Sequence, residues 1–147
     1  MQNRFANLLA AAAVAALGSQ LWAGGFWLQL GNPEANAEAR NANAVLVIKA
    51  VGCADPANAH VTARAVGMVD GKRQAIPLKL AALSEPGTYA LARQWPEQGK
   101  WVIELTGKNG AMFTNTLVSA GPSGVDRLHA KAEMKPFSAD DVEAMLR

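Results

Sequence analysis

A chain of 147 residues is about one domain's worth of sequence. Half of its residues are hydrophobic, but much of that half is alanine, so any core must rest on Leu, Ile, Val, Trp and Phe. Charged residues make up 18%, both signs are interspersed and the formal net charge is +2; Lys72-Arg73 is the one adjacent basic pair, so nothing here would seek a phosphate backbone and nucleic acid is not an expected partner.

Residues 1–23 read as a secretory signal. Arg4 is the only charge before an apolar run from Leu8 to Leu17, the break Gly18-Ser19-Gln20 follows, and Ala23 offers a small residue at a cleavage point. An apolar run of about ten residues is too short to span a bilayer. Residues 8–30, however, carry no charge at all, which leaves an uncleaved membrane anchor open, as well as later cleavage near Ala37 or Ala39. The expected location is therefore periplasmic or secreted, or, with the leader uncut, anchored in the inner membrane and facing the periplasm. A membrane is a partner only in that second case.

Phe26-Trp27-Leu28-Gln29-Leu30 is bulky and β-prone, and is expected to be the first mature strand. Residues 31–43 form a polar link; its Ala, Glu and Arg would allow a helical turn, while Pro33 and the Asn residues favour loop. Val45-Leu46-Val47-Ile48 is a continuous run suited to a strand buried on both faces. Asp55-Pro56 signals a turn. Over residues 60–69, Val61, Ala63 and Ala65 alternate with His60, Thr62 and Arg64, and Asp70-Gly71 signals a hairpin because glycine tolerates the positive φ of a tight turn. The returning strand sets Ile76, Leu78 and Leu80 against Lys79.

Tyr89 and Leu91 share a face of the next strand, and Pro96-Glu97-Gln98-Gly99 turns the chain again. Trp101, Ile103 and Leu105 alternate with Val102, Glu104 and Thr106. Lys108-Asn109-Gly110 makes another hairpin turn into a strand over 111–119, and Gly121-Pro122-Ser123-Gly124 is a loop. Leu128, Ala130, Ala132 and Met134 then alternate with Arg127, His129, Lys131 and Glu133, a period of two that marks a strand with those four apolar residues on its inner side. Ser138 before Ala139-Asp140-Asp141 is an N-cap with acidic residues in the first turn, so a short helix is expected over 139–146, with Val142, Met145 and Leu146 on its apolar face. Seven to eight short strands joined by Gly, Pro and Asn turns define an all-β fold, a single immunoglobulin/fibronectin-like antiparallel sandwich. The expected division is a signal segment over 1–23, first strand and polar link over 24–43, sandwich over 44–134 and helical tail over 135–147.

Leu83-x-x-Pro86-Gly87-x-Tyr89 resembles the tyrosine corner of immunoglobulin-like domains, in which a tyrosine ring fills the core edge and its hydroxyl bonds back to the preceding corner. The longer run Pro86-Gly87-Thr88-Tyr89 … Trp95-Pro96-Glu97-Gln98-Gly99-Lys100-Trp101-Val102-Ile103 is similar to the YtkA/FixH-like and, more distantly, CopC-like periplasmic sandwiches. That resemblance implies structural roles for Pro86, Gly87, Tyr89 and Trp101. Those groups include membrane-anchored accessory proteins of copper-enzyme assembly and periplasmic copper binders. This chain departs from the copper binders: it has no histidine near the mature N-terminus, no Met-rich stretch and no His-x-His.

No catalytic or cofactor motif is visible, and no enzyme activity or cofactor is expected. Gly121-x-Ser123-Gly124 misses the esterase elbow, which needs an α/β sheet and ordered acid and histidine partners. Cys53 is the only cysteine and forms no internal disulfide; it reads as a small buried residue at a strand end. The candidate metal ligands are Cys53, His60, Met68 and His129, but no spacing among them predicts convergence, and the two histidines fall on outward faces. Trp95 and Trp101 bracket a turn and read as packing, or as an aromatic platform for a carbohydrate or peptide. Trp22 and Trp27 flank the leader junction as interface anchors if the leader stays. The expected function is a non-enzymatic exported binding or structural module with a protein partner; the alternative is a copper-handling accessory protein.

Overall fold

The structure is a computed structural model that describes residues 25–52 and 54–147. The expected leader, with Trp22, and Cys53 lie outside the described residues. Among the described residues, nine strands form two antiparallel sheets packed face to face, an all-β sandwich. The first sheet has the order β1 (Phe26–Gly31), β2 (Ala44–Gly52), β6 (Thr88–Ala92), β5 (Ala81–Ala82). The second has the order β4 (Lys72–Leu78), β3 (His60–Val69), β7 (Trp101–Asn109), β8 (Met112–Gly121), β9 (Gly124–Glu133).

The inner faces follow the period of two. Phe26 and Leu28 of β1, Leu46 and Ile48 of β2 and Leu91 of β6 meet Ala63 and Ala65 of β3, Trp101, Ile103 and Leu105 of β7 and Val118 of β8 in one buried cluster. Small alanines on β3 face large side chains across the layer, which is how an alanine-rich chain still fills its core. Gly67 carries this to its limit: it lies under the Trp101 ring.

Each sheet also has a covered outer face. The link over residues 31–43 is not a bare loop: a 3-10 turn (Pro33–Ala35) leads into α1 (Ala37–Asn41). The asparagines that favour loop by propensity act here as caps, Asn32 accepting from the Glu34 amide and Asn36 from the Ala39 amide. α1 buries Ala39 on Val47 and Ala90. Glu38 accepts hydrogen bonds from the backbone N–H and the hydroxyl of Ser84, tying α1 to the loop before β6; these bonds hold its carboxyl below the usual range. On the other sheet, α2 (Ala139–Leu146) packs Val142 against Val66, Val102 and Leu117. Ser138 and Asp141 cap each other reciprocally at its start. Among the described residues, no helix is long and apolar enough to cross a membrane.

Two expectations need correction. The two-residue strand β5 is additional to the eight read from the sequence; its length leaves no periodicity to detect. Leu128 and Met134 are not buried: they are 89% and 64% exposed. Leu128 falls in a bulge of β9, where the single residue Val118 of β8 lies opposite four, Arg127 to Ala130, whereas Met134 follows the last residue of β9 and lines an open groove between the sheets.

Candidate functional site

A sandwich of two open sheets has four edges, and an unpaired edge is a template for another strand unless it is blocked. Three are blocked here. β4 carries Lys72, Arg73 and Pro77, β5 is two residues long, and β9 is interrupted by its bulge. The bulge is braced by Asp126, whose carboxylate accepts from the His129 amide and lies 2.8 Å from His129 Nδ1. That contact with the His129 ring holds the Asp126 carboxyl below its ordinary range. β1 differs: Phe-Trp-Leu-Gln-Leu-Gly has no charge and no proline, and among the described residues it stands at the end of its sheet's strand order, next to β2.

A groove of about 480 Å³ runs between the two sheets, with Phe26, Trp27 and Leu28 of β1 on one wall. Ala132, Glu133 and Met134 form the opposite wall and Thr114 of β8 closes the floor. A second hollow of about 280 Å³ involves Phe26 and Met134 again, together with Gly25, Met112 and Phe113. Phe26 and Leu28 point inward and are almost wholly buried, whereas Trp27, 39% exposed, stands on the outer side of the same strand. Gly107 lets the walls close on the floor, since a Cβ there would lie 3.0 Å from Phe26 and from Thr114. The groove combines apolar walls with an uncharged strand at the end of a sheet.

No protein-family model, curated protein or solved structure matches this chain.

The residues singled out from the sequence fall elsewhere. Tyr89 is half-buried beside the core, and its hydroxyl donates to the carbonyl of Ala59 at 3.3 Å. The partner lies in the loop before β3 rather than in the corner at residues 83–86. That corner is held by its own backbone bonds, Leu83 N–H to Thr88 O and Thr88 N–H to Glu85 O. Gly87 has φ +72° and presses on Pro56, where a Cβ would come within 2.7 Å. Gly87 thus leans the corner on the loop whose end Tyr89 ties, while Pro86 is exposed beside it. Trp101 and Trp95 are both core residues, so neither supplies an exposed platform.

His60, Met68 and His129 do not converge. His60 and Met68 stand at opposite ends of β3. β7 and β8 separate β3 from β9, so the strands carrying His60 and His129 are three strand spacings, about 14 Å, apart. Among the described residues no group of three or more His, Cys, Asp or Glu could hold a metal ion.

The sequence reading did not single out a polar cluster on the outer face of the second sheet. Glu104, nearly buried, accepts from Arg64 Nε at 2.6 Å and from Asn115 Nδ2 at 3.0 Å, and Thr106 donates to Asn115 at 3.1 Å. Register places these side chains together, with Arg64 opposite Glu104 and Thr106 opposite Asn115. Every carboxylate oxygen of Glu104 has a donor, so the cluster is a satisfied structural network rather than a reactive one. Nor did the sequence reading single out β1 and Met134. Their signal was an uncharged strand, Phe26–Gly31, and an apolar alternation that ends at Met134.

Proposed function

We propose that the protein is an exported, non-enzymatic binding module of immunoglobulin-like type that takes up an extended apolar segment of a protein partner along β1. The observation that supports this reading is the meeting, among the described residues, of an uncharged, proline-free strand at the end of a sheet with the apolar groove between β1 and β9. An extended segment lying along the groove would set every second side chain over Phe26 and Leu28.

The test is direct. A fluorescent peptide of about eight residues alternating Val and Thr, the length of an ordinary strand, is titrated against the exported protein. The same titration is made with Met134→Asp and with Leu128→Asp. Binding weakened about tenfold or more, roughly 1.4 kcal/mol, by Met134→Asp but not by Leu128→Asp supports the reading. Equal affinity in all three proteins overturns it.

A further inference from the structure

The second sheet carries apolar side chains on both faces. Its inner face belongs to the sandwich core, through Ala65, Ile103 and Val118 among others. Its outer face carries a separate strip, Val66 of β3, Val102 of β7 and Leu117 of β8, which shares no residue with that core. α2 sits on this strip through one buried residue, Val142, while Phe137, Met145 and Leu146 are only partly buried against it. A helix of eight residues does not hold its shape alone in water, where about 12–15 are needed, so the order of α2 comes from its seat. The seat is not filled. A cavity of about 250 Å³ lies between the start of α2 and the residues Arg64 and Val66 of β3 and Arg73 and Ala75 of β4.

The rim of the seat is basic and α2 is acidic. Arg73 pairs with Glu143, and Lys100 donates to the carbonyl of Arg147. Asp141 is held below its ordinary range first by the Ser138 hydroxyl and then by the Ser138 amide, and Lys131 and Lys135 add to the same effect. Arg64, paired with Glu104, borders the cavity. The Arg73 and Glu143 side chains are 41% and 40% exposed, so water screens the pair and it anchors α2 weakly. Residues 134–137, which tether α2 to β9, contain Pro136 and no helix or strand. Departure of α2 leaves the inner core whole and uncovers an apolar strip ringed by cations.

We propose that the seat of α2 is a docking site for an acidic amphipathic helix of a protein partner, with α2 as the built-in competitor that yields to it. The partner helix carries apolar residues at the spacing of Val142, Met145 and Leu146, and a carboxylate at the position of Glu143 to meet Arg73. A side chain larger than that of Ala139 at the start of the partner helix fills the cavity that α2 leaves, which lets the partner displace it. The site is separate from the groove at β1 and does not rest on the reading given to that groove.

The probe is a synthetic peptide of residues 137–147, the helix itself supplied in trans. It is titrated against three forms of the isotope-labelled protein: wild type, Val142→Asp, which unseats the resident helix, and Glu143→Arg, which sets a cation against Arg73 at an exposed position and spares every buried residue. The amide resonances of Val66, Val102 and Leu117 report the site. The expected result is binding to both variants about tenfold or more tighter than to wild type, where the resident helix must first leave, with shifts at those three amides. The same peptide carrying Val142→Asp should bind none of the three proteins. Should Val142→Asp fail to fold, the Glu143→Arg protein makes the same comparison. No binding to a folded variant would overturn the proposal, and so would equal affinity for wild type and variants, which places the peptide elsewhere. Concentration-dependent dimers of the wild type that exchange α2, detected by sedimentation, would also overturn it by assigning the seat to a second copy.

Discussion

Gly67 lies flat beneath the indole of Trp101. A Cβ built on Gly67 would sit 2.4 Å from the Trp101 ring, closer than any relaxed packing permits, and the register pairs the two residues directly across β3 and β7. The indole has no slack to yield, because its Nε1 donates to the carbonyl of Gln98 at 3.0 Å and fixes the ring against the 96–99 turn. Gly67→Ala is expected to destabilise the fold by about 3 kcal/mol, the upper range for overpacking a core. Urea denaturation followed by tryptophan fluorescence measures it. Adding Trp101→Leu should recover part of the loss relative to Trp101→Leu alone, and a strictly additive double variant would refute the contact as the cause.

Arg64 and Glu104 form a pair with unequal exposure: the Glu104 side chain is 9% exposed and that of Arg64 57%. Removing Arg64 leaves a nearly buried carboxylate with only the Asn115 amide as donor. Such a loss costs about 3–5 kcal/mol when both partners are dry; solvent at the exposed guanidinium screens the pair, so about 1–2 kcal/mol is expected for Arg64→Ala. Glu104→Gln should cost less, since it removes the buried charge together with the need to neutralise it. A double-mutant cycle read by chemical denaturation checks the order. Arg64→Ala proving milder than Glu104→Gln would count against this account.

The strands were legible wherever a period of two ran for more than about six residues, as in β3 and β7, because an interior sheet face imposes that period on the chain. α2 was legible from the cap chemistry of Ser138 and Asp141 alone. Leu128 was misread for a physical reason: alternation reports which side chains share a face only while register holds. In β9 the bulge breaks register opposite Val118, and Leu128 within it leaves the face its spacing assigned. The link over 31–43 misled differently, since asparagine disfavours helix interiors and favours helix caps for the same reason, a side chain that bonds nearby backbone. The candidate site was hardest to read. A groove between two sheet edges joins β1, β8 and the end of β9, segments far apart in sequence, and no local pattern announces their meeting.

Tyr89 tests how much the corner depends on its hydroxyl. The bond to Ala59 is long, at 3.3 Å, and the ring remains partly accessible to water. Tyr89→Phe should therefore cost no more than about 1 kcal/mol, the net value of an ordinary hydrogen bond. Tyr89→Ala, which empties the ring's place beside Ile48 across the β2–β6 pair, should cost about 3–5 kcal/mol. Thermal melts of the two variants distinguish the roles. Equal losses would mean that the hydroxyl, rather than the ring, holds the loop before β3.

Acid should release α2 before it unfolds the sandwich. The Ser138 hydroxyl and, secondarily, its amide bond to the Asp141 carboxylate, and these bonds hold the Asp141 pKa below its ordinary value of 3.8. A carboxyl depressed in the folded state contributes stability that is fully present above the unfolded pKa. That contribution is lost as the pH falls through the folded one. The capping box therefore weakens below about pH 3.8, and α2, anchored mainly by Val142, then frays from Val66, Val102 and Leu117. Global unfolding is a poor probe, because hydrogen bonds also depress Glu38, Glu85 and Asp126 and these lose stability in the same direction. The local measurement is the amide resonance of Ser138, which donates to the Asp141 carboxylate, followed by NMR from neutral pH downward. In the wild type its shift should titrate below pH 3.8. In Ser138→Ala, which deletes the hydroxyl, the Asp141 titration should move up toward that value and the helix should fray at a higher pH. A midpoint unmoved by Ser138→Ala would mean that the cap does not set the acid response of α2.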